Sequence, residues 1–172
     1  VSAVFQEEWF GEASQRALAD LYGKVADLDG VVVEVGCWEG RSTIALARAC
    51  APEMVRAVDT WLGSPGEVSA ELAAERDVLE TFLANTAGMN IDAYLMGWQE
   101  YFADHHDPIK FLHIDAEHTY EQVAGNIDAA LPFMVPGSIM CGDDVHHLPV
   151  QLAVIERFPD AQVSATLWWA QV

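Results

Sequence analysis

The chain has 172 residues, 52% of them apolar and 20% charged, which excludes a disordered tail and suggests one domain spanning 1–172 with a substantial core. Eight basic against 27 acidic residues leave a formal charge of −19, a surface that repels phosphate backbones and argues against nucleic acid as a partner. No apolar run approaches the roughly 20 residues of a membrane span. The first residues, "VSAVFQEEWFGEASQ", carry acids where a signal peptide carries Lys or Arg, so a soluble, cytoplasmic protein with no membrane partner is expected.

Residues 1–29 read as an N-terminal helical segment. Phe10, Ala13, Ala17, Leu21 and Val25 recur at helical spacing and predict a helix from about Trp9 to Ala26. The β-branched run "VVVEVG" then opens a core over 30–172 as a buried strand of the parallel type. "RSTIALARAC" reads as a helix, "VRAVDTW" as a second strand, and Ala70 to Ala87 as one long helical stretch. "IDAYLMGW" is a third strand, "QEYFAD" a short helix and "IKFLHID" a fourth strand. "YEQVAGNIDAALPFM" is a helix ending near Pro132, with "VPG" as a turn before the fifth strand, "SIMCGDD". A helix, "VQLAVIERF", precedes a tail, "AQVSATLWWAQV", whose alternation fits one strand or a tight pair. Strands separated by helices predict a doubly wound, mostly parallel Rossmann-like α/β sheet with helices on both faces.

In such sheets ligands bind beyond the carboxyl ends of the strands, so the strand ends matter most. The first ends "EVGCWEGRS", where Gly36 and Gly40 let the backbone approach a ligand and the following helix favours an anionic group. This is not the G-x-G-x-x-G of dinucleotide enzymes, which disfavours a nicotinamide-dependent dehydrogenase. The second strand ends in Asp59, suited to the two hydroxyls of a ribose or to a loop cap. The third ends "MGWQ", where Trp98 stacks on a base or packs in the core. That order suits a nucleoside lying across the strand ends.

Over its whole length the chain resembles a class I S-adenosylmethionine-dependent methyltransferase. Glu34, Gly36 and Gly40 match the family's acid followed by G-x-x-x-G, and Asp59 within "AVDTW" matches its acid after the second strand. The resemblance implies about seven strands with the last antiparallel. It also implies that Glu34, Gly36, Cys37, Gly40 and Ser42 serve the methionine end of the cofactor. Asp59, Thr60 and Trp61 would serve the ribose, Gly97 and Trp98 the adenine, and Asp115 would border the same site.

The fourth strand ends "HIDAEHTYEQV" and the fifth ends in Asp143 and Asp144. Three carboxylates brought together drive at least one pKa upward unless a cation neutralises them. All-oxygen ligands suit a hard ion, so Asp115, Asp143 and Asp144 are candidate ligands for Mg²⁺ or another divalent cation. The pattern is similar to metal-dependent O-methyltransferases of the catechol and macrolide-sugar types. The catechol type carries a lysine three residues after its first metal aspartate; His118 stands there in this chain, a candidate base beside Asp115. The expected reaction is metal-assisted O-methylation of a small hydroxylated metabolite. The alternatives are a metal-independent methyltransferase and a cofactor-binding module without methyl transfer.

Blander assignments stand beside these. Asp143 and Asp144 suit a helix cap, and His118 suits a bond to a backbone carbonyl. At most one of the adjacent His146 and His147 is expected to face an ion, and His105 and His106 fit a solvated loop. Trp38 and Trp61 suit either a substrate wall or packing. Cys37, Cys50 and Cys141 read as buried free thiols. The loop "TWLGSPGEVS" and the N-terminal helix are candidates to cover the site, and Trp9 and Phe10 suggest a possible homodimer surface.

Overall fold

The structure, a computed structural model, describes residues 3–172; Val1 and Ser2 of the N-terminal segment lie outside the described residues. Seven strands form one sheet: β1 (Val31–Val35), β2 (Val55–Asp59), β3 (Ile91–Leu95), β4 (Ile109–Ile114), β5 (Met134–Gly142), β6 (Gln162–Ser164) and β7 (Leu167–Gln171). Their order is β3-β2-β1-β4-β5-β7-β6. The first five pair in parallel, and β7 runs antiparallel to both of its neighbours. The order reverses between β1 and β4, which opens a crevice at their carboxyl ends.

The period of two along each strand divides the core between the faces. Val33, Leu112 and Met140 pack on one side with Val123 and Ile127 of α6 (Tyr120–Ala130) and with Val150 and Val154 of α7 (Leu148–Arg157). Val32, Phe111 and Ile139 face the other way, against Leu18 and Leu21 of α1 (Glu12–Gly23) and Leu46 of α2 (Arg41–Cys50). Phe111, Leu112 and Met140 are wholly buried, each such side chain stabilising the fold by about 1.5–3 kcal/mol. The three cysteines are buried and free. Among the described residues no helix is long and apolar enough to cross a membrane.

Two elements differ from the sequence expectation, and a third settles an alternative it left open. The stretch Ala70–Ala87 is two helices, α3 (Val68–Glu75) and α4 (Val78–Thr86), because the Asp77 side chain accepts from Glu80 N at 2.8 Å and starts a new helix. "VPG" lies inside β5 and not in a turn. There the pairing jumps from Ile109↔Met134 to Phe111↔Ile139, with Gly137 at φ 87°, so the chain bulges without leaving the sheet. The tail is a tight pair, with β6 and β7 joined through Ala165 at φ 55°. The short helix α5 (Trp98–Asp104) follows β3 as expected.

Candidate active site

The loop after β1 passes directly beneath the loop after β4. Gly36 sits at φ 85°, and a Cβ there would lie 2.0 Å from the Asp115 carbonyl oxygen, so no side chain fits. The next two amides, Cys37 N and Trp38 N, donate to Asp59 Oδ2 at 2.6 and 2.9 Å, and Trp61 N donates to Asp59 Oδ1 at 2.7 Å. Asp59 therefore ties the ends of β1 and β2 together. Burial raises its pKa while these three amides pull the other way. Oδ1 accepts only one of these bonds and so has capacity for a second, and Asp59 lines the cavity.

That cavity has a volume of about 1310 Å³, larger than the roughly 300–1,000 Å³ typical of one small-molecule site. Its wall includes Gly36, Cys37, Ser42, Asp59, Thr60, Gly97, Trp98, Asp115, His118, Asp143 and Asp144 from the predicted set. Trp98 lies against α6 at Gly125 and donates its Nε1–H to Gln122 Oε1 at 3.2 Å.

Three predicted cofactor residues, Glu34, Gly40 and Trp61, are placed elsewhere. Glu34 is wholly buried on the opposite face of β1, where it pairs with His113 Nδ1 at 2.9 Å. The alternation that turns Val33 and Val35 to one face turns Glu34 to the other, away from the cavity. Trp61 is 4% exposed, packs on Phe82 at 4.9 Å and donates Nε1–H to Trp38 O at 2.9 Å. It supports the wall without forming it. Gly40, at φ 89°, is the residue before α2 and contacts α4 through Phe82 and Thr86.

The acids of β4 and β5 converge as their sequence positions suggest, with His118 among them. His118 Nε2 lies 2.8 Å from Asp144 Oδ2 and 3.7 Å from Asp115 Oδ1. The shorter contact is an ion pair without hydrogen-bond alignment, and among the described residues Nε2 has no hydrogen-bond partner. On the other side of the ring, Nδ1 meets both oxygens of Glu67 at 3.1 Å, and His118 N donates to Glu67 Oε1 at 3.2 Å. Burial pulls the His118 pKa down, but the Asp115 and Asp144 carboxylates override it and push it up to about 11. Burial raises Asp115 to about 6, helped by the charge of Asp143 against the opposing pull of His118.

Asp115, His118 and Asp144 each bring a ligand atom within 4.8 Å of the others. The compact donor set thus has His118 where the sequence suggested Asp143. Asp143 Oδ1 is buried and, among the described residues, accepts no hydrogen bond. Oxygen and imidazole donors beside an orphaned carboxylate oxygen fit a divalent cation.

Sequence reasoning gave no role to Glu67 or Arg41, and it read Trp9 and Phe10 of the strap of residues 3–10 as dimer surface, whereas Phe10 is buried in the core and Trp9 is exposed. The strap crosses the cavity, with Phe5, Glu7, Trp9 and Phe10 in its wall. Arg76 pairs with both Glu7 and Glu39, Asn85 exchanges two hydrogen bonds with the Val4 backbone, and Trp9 lies over Trp38 at 5.3 Å. The acid-rich "QEE" of the strap is a weak signal for such anchoring.

A glycine turn after β1, an acid at the end of β2 and a carboxylate cluster after β4 and β5, all around one cavity, define a class I S-adenosylmethionine-dependent methyltransferase. The chain belongs to the methyltransferase-domain family whose model matches residues 33–145. Among solved structures it is similar to the O-methyltransferase NovP, at 20% identity over 94% of this chain and 80% of that one, with a TM-score of 0.69. It is also similar to CalS11, a TDP-rhamnose 3'-O-methyltransferase of calicheamicin biosynthesis, at 17% identity over 94% and 81%, with a TM-score of 0.67. An O-methyltransferase from Bacillus cereus in complex with SAH shares 18% identity over 94% and 82%, with a TM-score of 0.59. These likenesses establish the fold. No curated protein matches the sequence.

Proposed function

We propose that the chain transfers the methyl group of S-adenosylmethionine to a hydroxyl of a small metabolite beside a divalent cation held by Asp115, Asp143 and Asp144, with His118 beside them to take the proton. The observation that carries this reading is the convergence of these groups on the cavity that holds the glycine loop. The C–S bond of the sulfonium breaks as the C–O bond forms, and the products are a neutral thioether and a methyl ether. The chain must align the hydroxyl behind the methyl carbon and take its proton. A bound cation supplies the charge that lowers the hydroxyl's pKa. Orientation alone contributes about 7–11 kcal/mol in favourable cases.

The chain's own groups have distinct tasks. Glu67 holds His118 through Nδ1, so Nε2 is the nitrogen turned to the reacting side. With the charge of Asp115 and Asp144 neutralised, that nitrogen becomes a competent base. Asp59 Oδ1 offers its spare lone pair to the ribose. Arg41 is the one permanent cation among the described residues of the cavity wall, which makes it the natural counter-ion for the cofactor's α-carboxylate. The CalS11 and NovP likenesses support a hydroxyl as the acceptor.

A second reading, methyl transfer without metal, is favoured by His118 itself, whose imidazolium already sits 2.8 Å from Asp144. One experiment tests both. Sugars, phenols and hydroxy acids are screened with methyl-labelled cofactor, with EDTA and after Mg²⁺ is restored. Labelled ether that vanishes with EDTA and returns with Mg²⁺ is expected. Undiminished transfer in EDTA refutes the metal's role, and no transfer to any hydroxyl refutes O-methylation.

A further inference from the structure

The two carboxylate oxygens of Asp144 face different nitrogens. Oδ2 meets His118 Nε2 at 2.8 Å on the inner side. Oδ1 faces His146 Nε2 at 3.4 Å and His147 Nε2 at 3.9 Å on the outer side. One donor atom from each of Asp144, His146 and His147 lies within 4.8 Å of the other two. Neighbouring side chains usually diverge, so no more than one of these histidines was expected at an ion. The backbone explains their convergence. Asp144 is left-handed at φ 57°, His147 N donates back to Asp144 O at 2.9 Å, and His147 sits immediately before α7. This tight turn crosses the two imidazoles at 87° with their centroids 4.6 Å apart.

We propose that Asp144, His146 and His147 form an outer cation site of two nitrogens and one oxygen, selective for a borderline divalent ion such as Zn²⁺ or Co²⁺. Imidazole ligands favour such ions over Mg²⁺, which prefers carboxylate, carbonyl and water oxygens. Zinc binds nitrogen and carboxylate oxygen at about 2.0–2.2 Å, which places tetrahedral donors roughly 3.4 Å apart. The Asp144–His146 pair, at 3.4 Å, already has that spacing, and His147, at 3.9 Å from Asp144 Oδ1, must move inward to reach it. Its side chain is 48% exposed and that of His146 62%, so the adjustment meets little packing resistance. All three residues line the cavity, leaving the remaining coordination positions to water or to an acceptor group. The Asp144 carboxylate then joins an inner site fit for a hard ion to an outer site fit for a borderline one. The outer site stands on its own three ligands, whether or not the inner one holds a metal.

The test uses the full chain, stripped with EDTA and then held in excess Mg²⁺ so that the inner site is satisfied. Isothermal titration with Zn²⁺ is expected to show one site, and Co²⁺ to develop the intensified visible absorption of a low-coordinate nitrogen–oxygen site. The double variant His146→Asn/His147→Asn is expected to weaken Zn²⁺ binding at least tenfold. His147→Asp, which restores a ligand, is expected to retain it. His105→Asn/His106→Asn, which alters the other adjacent pair, is the control and is expected to bind as the parent does. Unchanged Zn²⁺ affinity in the His146/His147 variant overturns the proposal. So does equal loss in the His105/His106 control, or complete displacement of Zn²⁺ by Mg²⁺ in the parent.

Discussion

Replacing Asp59 by Asn separates two tasks for one carboxylate. As a ribose ligand alone, Asp59 would affect cofactor affinity and leave the apo fold untouched. The structure instead has it accept Cys37 N, Trp38 N and Trp61 N at 2.6, 2.9 and 2.7 Å. Asn keeps one oxygen. Turned toward Cys37 and Trp38, that oxygen retains two bonds in weaker, neutral form, while the amide NH₂ meets Trp61 N donor to donor. Losing one charge-assisted bond costs about 1.5–3 kcal/mol, and weakening two others costs roughly 1 kcal/mol each. Burial raises the Asp59 pKa, so removing the charge recovers part of this loss. The net expectation is a destabilisation of about 2–4 kcal/mol, a large share of the roughly 5–15 kcal/mol typical of a domain. Urea unfolding followed by Trp fluorescence reads it as a midpoint lowered by about 1–2 M in the apo protein, since such slopes run about 1–3 kcal/mol/M. An apo midpoint equal to that of the parent, with only S-adenosylhomocysteine binding impaired, would refute the clamp.

Arg41→Gln is expected to weaken S-adenosylhomocysteine by about tenfold or more, the loss of one charge-assisted pair, while 5′-methylthioadenosine, which lacks the carboxylate, binds as before. Isothermal titration with both ligands checks it; equal losses point to a damaged cavity. Glu67→Gln removes the acceptor charge behind His118 and is expected to lower kcat about 10–100-fold with cofactor affinity unchanged, measured by steady-state kinetics on a hydroxyl acceptor.

Much of the sheet was legible because parallel strands buried on both faces must be apolar and β-branched, and because each is followed by a helical period. What failed has identifiable causes. The Ala/Leu/Glu-rich run to Ala87 has good helix propensity throughout, so its break is invisible to periodicity. Asp77 followed by Glu80 is a capping-box pattern that marks the break. "VPG" has turn composition, but its neighbours on β4 hold both flanks in register, and the excess residues form a bulge. Glu34 matched a motif by spacing alone. Which face of a buried strand meets the ligand depends on its neighbours, and here His113 on β4 claims the carboxylate. Glu67 lay beyond sequence reasoning because its partner is 51 residues away, across the crevice.

The charge of the cavity bears on the proposed cation. Five glutamates and four aspartates line it against a single arginine. Such a wall attracts a sulfonium and favours release of the neutral thioether that methyl transfer leaves. The same wall penalises ionising a hydroxyl beside Asp115, Asp143 and Asp144, because a forming oxyanion adds a like charge to the cluster. Acids that help to bring in the cofactor therefore oppose the nucleophile. Arg41 does not offset them at the reacting end: its nearest acid is the exposed Glu8 at 3.9 Å, and its guanidinium lies 4.4 Å from the Phe5 ring, under the strap. The counter-charge must come from His118 or from a bound cation, and His118 cannot both keep its proton as that charge and accept one from the acceptor. The chain's own chemistry thus supports a divalent ion, with the histidine left to take the proton.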